Sequence, residues 1–186
     1  MRVENIVASA SFGVKIRLEK VVSKADGIEY EPEQFPGVVY KMKDPKAAAL
    51  IFGSGKIVCT GARSITDVKA VFAKVVEVVT KSGVTVPKEY KMQVENIVAS
   101  AKLEGTLNLD KIAFNLENSE YEPEQFPGLV YRMKDPKATF LLFGSGKVIC
   151  TGTRNVKDVG IAVEKASRKL KSIGAMVKPK RQPEIP

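Results

Sequence analysis

The chain repeats itself without a gap. Glu31-Pro32-Glu33-Gln34-Phe35-Pro36-Gly37 returns as Glu122-Pro123-Glu124-Gln125-Phe126-Pro127-Gly128, and Leu50-Ile51-Phe52-Gly53-Ser54-Gly55-Lys56 returns as Leu141-Leu142-Phe143-Gly144-Ser145-Gly146-Lys147, each 91 residues on. Asn96 follows Asn5 by the same interval. Solenoid units are shorter and more numerous, so two long copies in register describe a duplicated domain, one copy over residues 1–91 and the other over 92–186. Two copies fused in one chain predict a pseudo-twofold axis and therefore a quasi-symmetric partner. Duplex nucleic acid is such a partner.

A chain of 186 residues with 44% hydrophobic content can bury one continuous core or two small ones side by side. Thirty Lys and Arg against 21 Asp and Glu give a net charge of +9, which favours a polyanionic partner. Cys59 and Cys150 hold the same position in the two repeats, within the apolar runs Ile57–Thr60 and Val148–Thr151, and read as buried thiols acting as small hydrophobes. Two lone cysteines and no histidine make a poor ligand set, so neither a metal, nor any other cofactor, nor a disulfide is expected. No apolar stretch approaches the length of a membrane span, and Met1-Arg2-Val3-Glu4 opens a strand pattern rather than a signal peptide; an intracellular protein is expected.

Alternation over Val3–Ser9 sets Val3, Asn5, Val7 and Ser9 against Glu4, Ile6 and Ala8, as a strand requires, and Val94–Ser100 repeats it. Ile16–Val22 and Leu107–Ala113 are short, mixed and read as helical. Three further strands follow in each half. One leads to Tyr40 and Met42 and stops at the Asp44-Pro45 turn, since proline cannot donate to the ladder. The next covers Ala47–Phe52, and the third, Ile57–Thr60, returns through the Gly53-Ser54-Gly55 hairpin and ends at Gly61. A short strand about Glu29-Tyr30 makes five per repeat. Val68, Val71, Phe72, Val75, Val76 and Val79 then recur at helical spacing between Ser64 and Gly83, as Val159, Val163, Ala166 and Leu170 do in the second half. Lys157, Lys165, Arg168, Lys169 and Lys171 fall mostly on the other side of that second helix. Val84–Lys91 reads as a linker and Lys178–Pro186 as a frayed basic tail.

Helices following strands in both repeats imply an α+β fold in which the helices cover one sheet face and leave the other bare. Alternation places Asn5, Val7, Leu50, Phe52, Val58 and Thr60 on the bare face, with counterparts Asn96, Val98, Leu141, Phe143, Ile149 and Thr151. The chain has too few spare elements to cover this apolar surface, which marks it as an interaction site. Major-groove readers need sets of Arg, Lys, Gln or Asn against base edges, and the face lacks them. In the minor groove A·T pairs show only acceptors and guanine adds a protruding amino donor, so a smooth Val/Leu/Thr surface with amide donors at Asn5 and Asn96 suits A·T-rich DNA. Phenylalanines at strand ends and loops can wedge between base steps, and Lys41, Lys56, Arg132 and Lys147 beside the face can reach phosphates.

Glu-Asn-Ile-Val-Ala-Ser, Glu-Pro-Glu-Gln-Phe-Pro-Gly, Met-Lys-Asp-Pro-Lys and Phe-Gly-Ser-Gly-Lys, each present twice, resemble the conserved core of the TATA-box-binding protein family over almost the whole chain. That family is itself a reference example of minor-groove kinking. The resemblance implies a pseudo-twofold saddle: a curved ten-stranded antiparallel sheet under four helices, with DNA on the concave side. It implies that Phe35, Phe52, Phe126 and Phe143 insert into DNA, and that Asn5, Val7, Leu50, Val58, Thr60, Asn96, Val98, Pro127, Leu141, Ile149 and Thr151 form the minor-groove floor. Glu122 and Glu124 match a loop contacted by transcription factor B, and the basic second-repeat helix is similar to a surface for other factors, including the RNA polymerase machinery. Self-association through the concave face is an expectation when DNA is absent. Glu31-Pro32-Glu33 and Pro36 in the first repeat, and the lack of a long N-terminal extension, look archaeal; a cytoplasmic, nucleoid-associated protein is implied, or a nuclear one if eukaryotic.

An enzyme is not expected. Phe-Gly-Ser-Gly-Lys is superficially similar to a phosphate loop, but Leu50 stands where the first glycine is needed and Ile57 where Ser or Thr is. Glu31 and Glu33 have no histidine or further ligand to work with. Two other classes stay open on the residues alone: a single-stranded RNA binder, since aromatics on a bare sheet also stack bases, and a protein-interaction module.

Overall fold

The alternation of the opening segment becomes a long strand, β1 (Arg2–Ser11), in a computed structural model that describes residues 1–178. The first repeat continues with α1 (Leu18–Val21), β2 (Ile28–Glu29), β3 (Val38–Lys43), β4 (Lys46–Ile51), β5 (Lys56–Ala62) and α2 (Ile65–Lys81). The second has β6 (Met92–Lys102), β7 (Thr106–Leu107), α3 (Leu109–Asn115), β8 (Ser119–Glu120), β9 (Leu129–Lys134), β10 (Lys137–Leu142), β11 (Lys147–Thr153), α4 (Val156–Ser172) and β12 (Met176–Val177). Two compact units result, Val3–Asn96 in one and Ile97 onward with Met1–Arg2 in the other. Strand order is β2-β3-β4-β5-β1 in the first repeat and β8-β9-β10-β11-β6 in the second, antiparallel throughout. The ten-stranded antiparallel sheet and four helices expected from the sequence are present.

Each half builds its core between one sheet face and one long helix. In the first, Ile6, Ala8, Ala49, Ile51, Ile57 and Cys59 are fully buried, as are Val68, Val71, Phe72, Val75 and Val79 of α2. In the second, Ile97, Ala99, Phe140, Leu142 and Cys150 are buried with Val159, Ala162, Ala166 and Leu170 of α4. Val76 and Val163, assigned by spacing to the buried stripes, are only half-covered, because they lie at the stripe edges. Both long helices start on a side-chain cap: Ser64 Oγ accepts from the Asp67 N–H (3.0 Å) and Asn155 Oδ1 from the Asp158 N–H (2.8 Å). Burial pushes both cysteine thiols up to about 11, consistent with packing roles and not with reactivity.

Several boundaries differ from the sequence expectation. The first helix of the first half is shorter than expected, and that of the second is shifted two residues on, since Leu107 belongs to β7 and Asn108 caps α3 by accepting from the Lys111 N–H (3.1 Å). β4 ends at Ile51, leaving Phe52 in the hairpin. Gly61 does not end its strand: β5 runs to Ala62, and the pairing slips from Ala8–Cys59 to Ile6–Ala62, with one more residue spent on β5 than on β1. Gly61 has φ +88° and Gly152, at the equivalent slip between β11 and β6, has φ +95°, values that a side chain would oppose. β12 pairs with β7 in a small separate sheet that the sequence pattern did not announce. The linker is anchored, since Tyr90 packs edge-on against Phe12 (4.9 Å between ring centres) and Phe72 (6.4 Å). The basic tail foreseen at the C terminus lies, beyond Lys178, outside the described residues.

Candidate nucleic-acid interface

The face opposite the helices carries a regular cross-strand pattern in each unit. In the first, register aligns Val39, Leu50, Val58 and Ser9 as one row across β3, β4, β5 and β1, and Lys41, Ala48 and Thr60 as the next. In the second, Val130, Leu141, Ile149 and Ser100 form one row and Arg132, Thr139 and Thr151 the other. All the apolar and hydroxyl members are half-buried, whereas their sequence neighbours Val38, Ala49, Ile57, Cys59, Leu129, Phe140, Val148 and Cys150 are buried beneath the helices. Asn5, Val7, Asn96 and Val98 share this intermediate exposure on β1 and β6. Face assignment by alternation therefore holds for every strand residue singled out.

The rows also contain residues that the sequence reading passed over. Val39 and Val130 complete the apolar rows, Ala48 and Thr139 the second rows, and Ser9 and Ser100 cap the first at the other end. Alternation in Val38–Lys43 was the available signal for Val39. Ser9 Oγ donates to Glu95 Oε1 (2.6 Å), which fixes the hydroxyl. Arg63 and Arg154, each the second residue after a bulge glycine, add exposed cations where β5 and β11 end.

The bulge sets the chemistry of Asn5. Its Oδ1 accepts from the Gly61 N–H at 2.6 Å, so the acceptor end of the amide is consumed and the NH2 end is left to donate outward. An outward-donating amide suits an acceptor-only surface such as the minor-groove edge of A·T pairs.

Each phenylalanine pair is set by two turns and a glycine. The Glu31 carbonyl accepts from the N–H groups of Gln34 and Phe35 (both 2.9 Å), and the Glu122 carbonyl from Gln125 and Phe126 (both 3.0 Å), so the Glu-Pro-Glu-Gln turn aims the first ring. The second ring sits in the hairpin, where Phe52 N–H donates to the Lys56 carbonyl and Phe143 N–H to the Lys147 carbonyl, each at 3.0 Å. The rings meet edge to face, Phe35 with Phe52 at 5.7 Å and 66°, Phe126 with Phe143 at 5.9 Å and 70°. A methyl on Gly37 would lie 3.0 Å from Phe35 and 3.1 Å from Phe52; one on Gly128 would lie 2.8 Å from Phe126 and 3.0 Å from Phe143. A methyl at Gly37 would crowd its pair, and one at Gly128 would force a ring to shift.

Charge is absent from the apolar rows and enters the second rows only at their outer ends, in Lys41 and Arg132. Lys41, Lys56, Arg132 and Lys147 are exposed, and Arg132 pairs with Glu120 at 2.9 Å across a solvated surface, a contact worth under about 1 kcal/mol. Glu122, Glu124 and Pro127 are exposed on the loop that carries Phe126. Among the described residues no cluster of three or more His, Cys, Asp or Glu could hold a metal, and no helix is long and apolar enough to cross a membrane.

A family model described as transcription factor TFIID (or TATA-binding protein, TBP) matches residues 1–82 and again 91–173. The TATA-box-binding protein of Methanobrevibacter smithii is 53% identical over 173 residues, 93% of this chain and 96% of its own. That of Archaeoglobus fulgidus is 47% identical over 178 residues, covering 95% and 97%. A solved structure of Methanococcus jannaschii TBP superposes with a TM-score of 0.85 at 44% identity, covering 92% of this chain and 98% of that one.

Proposed function

The chain belongs to the TATA-box-binding protein family of DNA-binding transcription factors and is not an enzyme, and from that premise we propose that it is a general initiation factor acting on A·T-rich, TATA-box promoter DNA. One observation carries the reading: two apolar cross-strand rows, each with a glycine-seated pair of phenylalanines at its outer edge and cations around it. Each repeat supplies half of the contact.

In this proposal the rows built on Leu50, Val58, Leu141 and Ile149 lie against the minor-groove floor, with Val7, Val98, Thr60, Thr151 and Pro127 completing it. Asn5 and Asn96 face base acceptors. Phe35 with Phe52, and Phe126 with Phe143, wedge into a base step at either end, at a cost of a few kcal/mol of unstacking per step that the added contact of a bent duplex offsets. Lys41, Lys56, Arg132 and Lys147 neutralise phosphates, Arg132 exchanging Glu120 for a phosphate oxygen. Glu122 and Glu124, whose loop is fixed through the Glu122 carbonyl, offer their carboxylates to transcription factor B, and the resulting assembly recruits RNA polymerase. Such work places the protein on the chromosome, in the cytoplasm of an archaeal cell.

Competition at fixed salt tests the core of this. Unlabelled A·T-rich duplex should displace a labelled TATA-box duplex at much lower concentration than G·C-rich duplex or single-stranded RNA of the same length. Equal competition by single strands would leave a base-stacking sheet as the better description.

A further inference from the structure

The constant interval of 91 residues pairs every position of the two rows, and of Asn5 and Val7 beside them, with a counterpart in the second repeat. Apolar residues return as apolar, Ser9 and Thr60 as hydroxyls, Asn5 as an amide, and Lys41 as the cation Arg132. One position in this set changes its chemistry. Ala48 returns as Thr139.

Thr139 lies on β10 between Ala138 and Phe140, which are buried on the helix side, so it faces the open side, half-buried there as Ala48 is in the first repeat. It stands directly opposite Arg132 of β9 on one flank and Thr151 of β11 on the other. Residues paired in this way hold their Cβ atoms about 5 Å apart, so Thr139 and Thr151 set two hydroxyls side by side. The same place in the first repeat holds Ala48 beside Thr60, a methyl and one hydroxyl. Strand preference accounts for a branched side chain at Thr139, which valine would supply equally well; it does not account for a hydroxyl.

The minor-groove edge of a base pair decides what the second hydroxyl can do. An A·T pair shows two acceptors, and a G·C pair adds to its acceptors the guanine amino group, a donor. A hydroxyl both donates and accepts. Two adjacent hydroxyls can therefore divide the work on a G·C pair, one donating to a base acceptor while the other accepts from the amino group. Against Ala48 the amino group would meet a methyl, and a donor buried without a partner costs more than a hydrogen bond gained is worth.

We propose that Thr139 is a specificity-determining residue: it lets the second repeat accept a G·C pair at one position of its half of the site, where Ala48 makes the first repeat reject one. The inference rests on the minor-groove reading above. It also gives a site holding a single G·C pair a direction, since the second repeat then takes the half that contains the guanine.

The test uses the whole protein and an A·T duplex of dyad-symmetric sequence. A G·C pair is placed at each half-site position in turn, in one half and then in both, with the guanine on either strand. Inosine, which lacks the amino group, replaces guanine as the control. Affinities are measured by anisotropy at fixed salt, each variant being referred to its own affinity for the unsubstituted duplex. At one position the first G·C pair should cost under about twofold relative to inosine and the second at least about fivefold. Thr139→Val, which keeps the shape, should make the first pair as costly as the second. Ala48→Thr should make the second as mild as the first; Ala48 lines an open groove of about 610 Å³ with Lys41 and Thr60, which leaves room for the larger side chain. Misfolding cannot imitate that gain, and combining the two substitutions should return the pattern of a single tolerated pair. First and second pairs equally costly at every position, or a tolerance that survives Thr139→Val, overturns the inference while leaving a preference for A·T duplex in place. Loss of that preference in the unaltered protein overturns the minor-groove reading itself.

Discussion

The two repeats agree where they face away from their helices and disagree behind. Row for row, Val39, Leu50, Val58 and Ser9 match Val130, Leu141, Ile149 and Ser100, and the ring pairs differ by only 0.2 Å in separation, 5.7 against 5.9 Å. Beneath, Phe72 of α2 is replaced by Val163 and Ala49 of β4 by Phe140, so one bulky ring has crossed from helix to sheet, where it stacks on Tyr131 at 6.1 Å. At the solvent side, α2 presents Glu77 where α4 presents Arg168. The open rows are alike in the two repeats, while the core beneath them and the solvent side of the long helices differ.

Core substitutions give the largest contrast. Phe72→Ala should cost about 3–5 kcal/mol in urea unfolding, because it empties a site closed on all sides and removes a ring supporting Tyr90, whereas Val163→Ala should cost about 1 kcal/mol. Equal losses would show that the cores are interchangeable after all. Next come the wedges. Replacing Phe126 and Phe143 together by Ala, or Phe35 and Phe52 together, should each lower affinity for a TATA-box duplex on the order of a hundredfold and reduce the bend seen by fluorescence transfer. A bend unchanged in either double variant would remove that pair from the wedge role. A smaller effect is expected from the seats: Gly128→Ala should weaken binding more than Gly37→Ala, by a few-fold for about 1 kcal/mol of displacement, since its methyl meets the rings at 2.8 rather than 3.0 Å. Smallest, Lys56→Ala and Lys147→Ala should each lessen the salt slope of binding by about 0.9 if each neutralises one phosphate. A difference between them would reveal an electrostatic polarity that the static repeats do not display.

Much of this was legible in the residues because period-2 alternation is local and the repeat doubles every signal. Ile57 against Val58, and Ala49 against Leu50, assigned the sheet faces without any tertiary information. The bulges were not legible: Gly61 looks like any strand-ending glycine until its N–H is seen to hold Asn5, 56 residues away. β12 escaped for the same reason, since two residues pairing with Thr106 and Leu107 carry no periodicity of their own. Phe114 lay one residue beyond the expected helix Leu107–Ala113, and only the burial of Leu109, Ile112 and Leu116 around it shows that it points away from the core.

The edge-to-face arrangement of the rings also settles how the molecule waits. With each phenyl leaning on its mate and on a bare glycine, the rings of a pair restrict one another's torsions, and if they insert into DNA as proposed they do so from an arrangement already close to fixed. Little side-chain freedom remains to be surrendered on contact, and each pair hides part of its own hydrocarbon from neighbouring molecules in the meantime. A tool kept sharpened in this way is also kept sheathed.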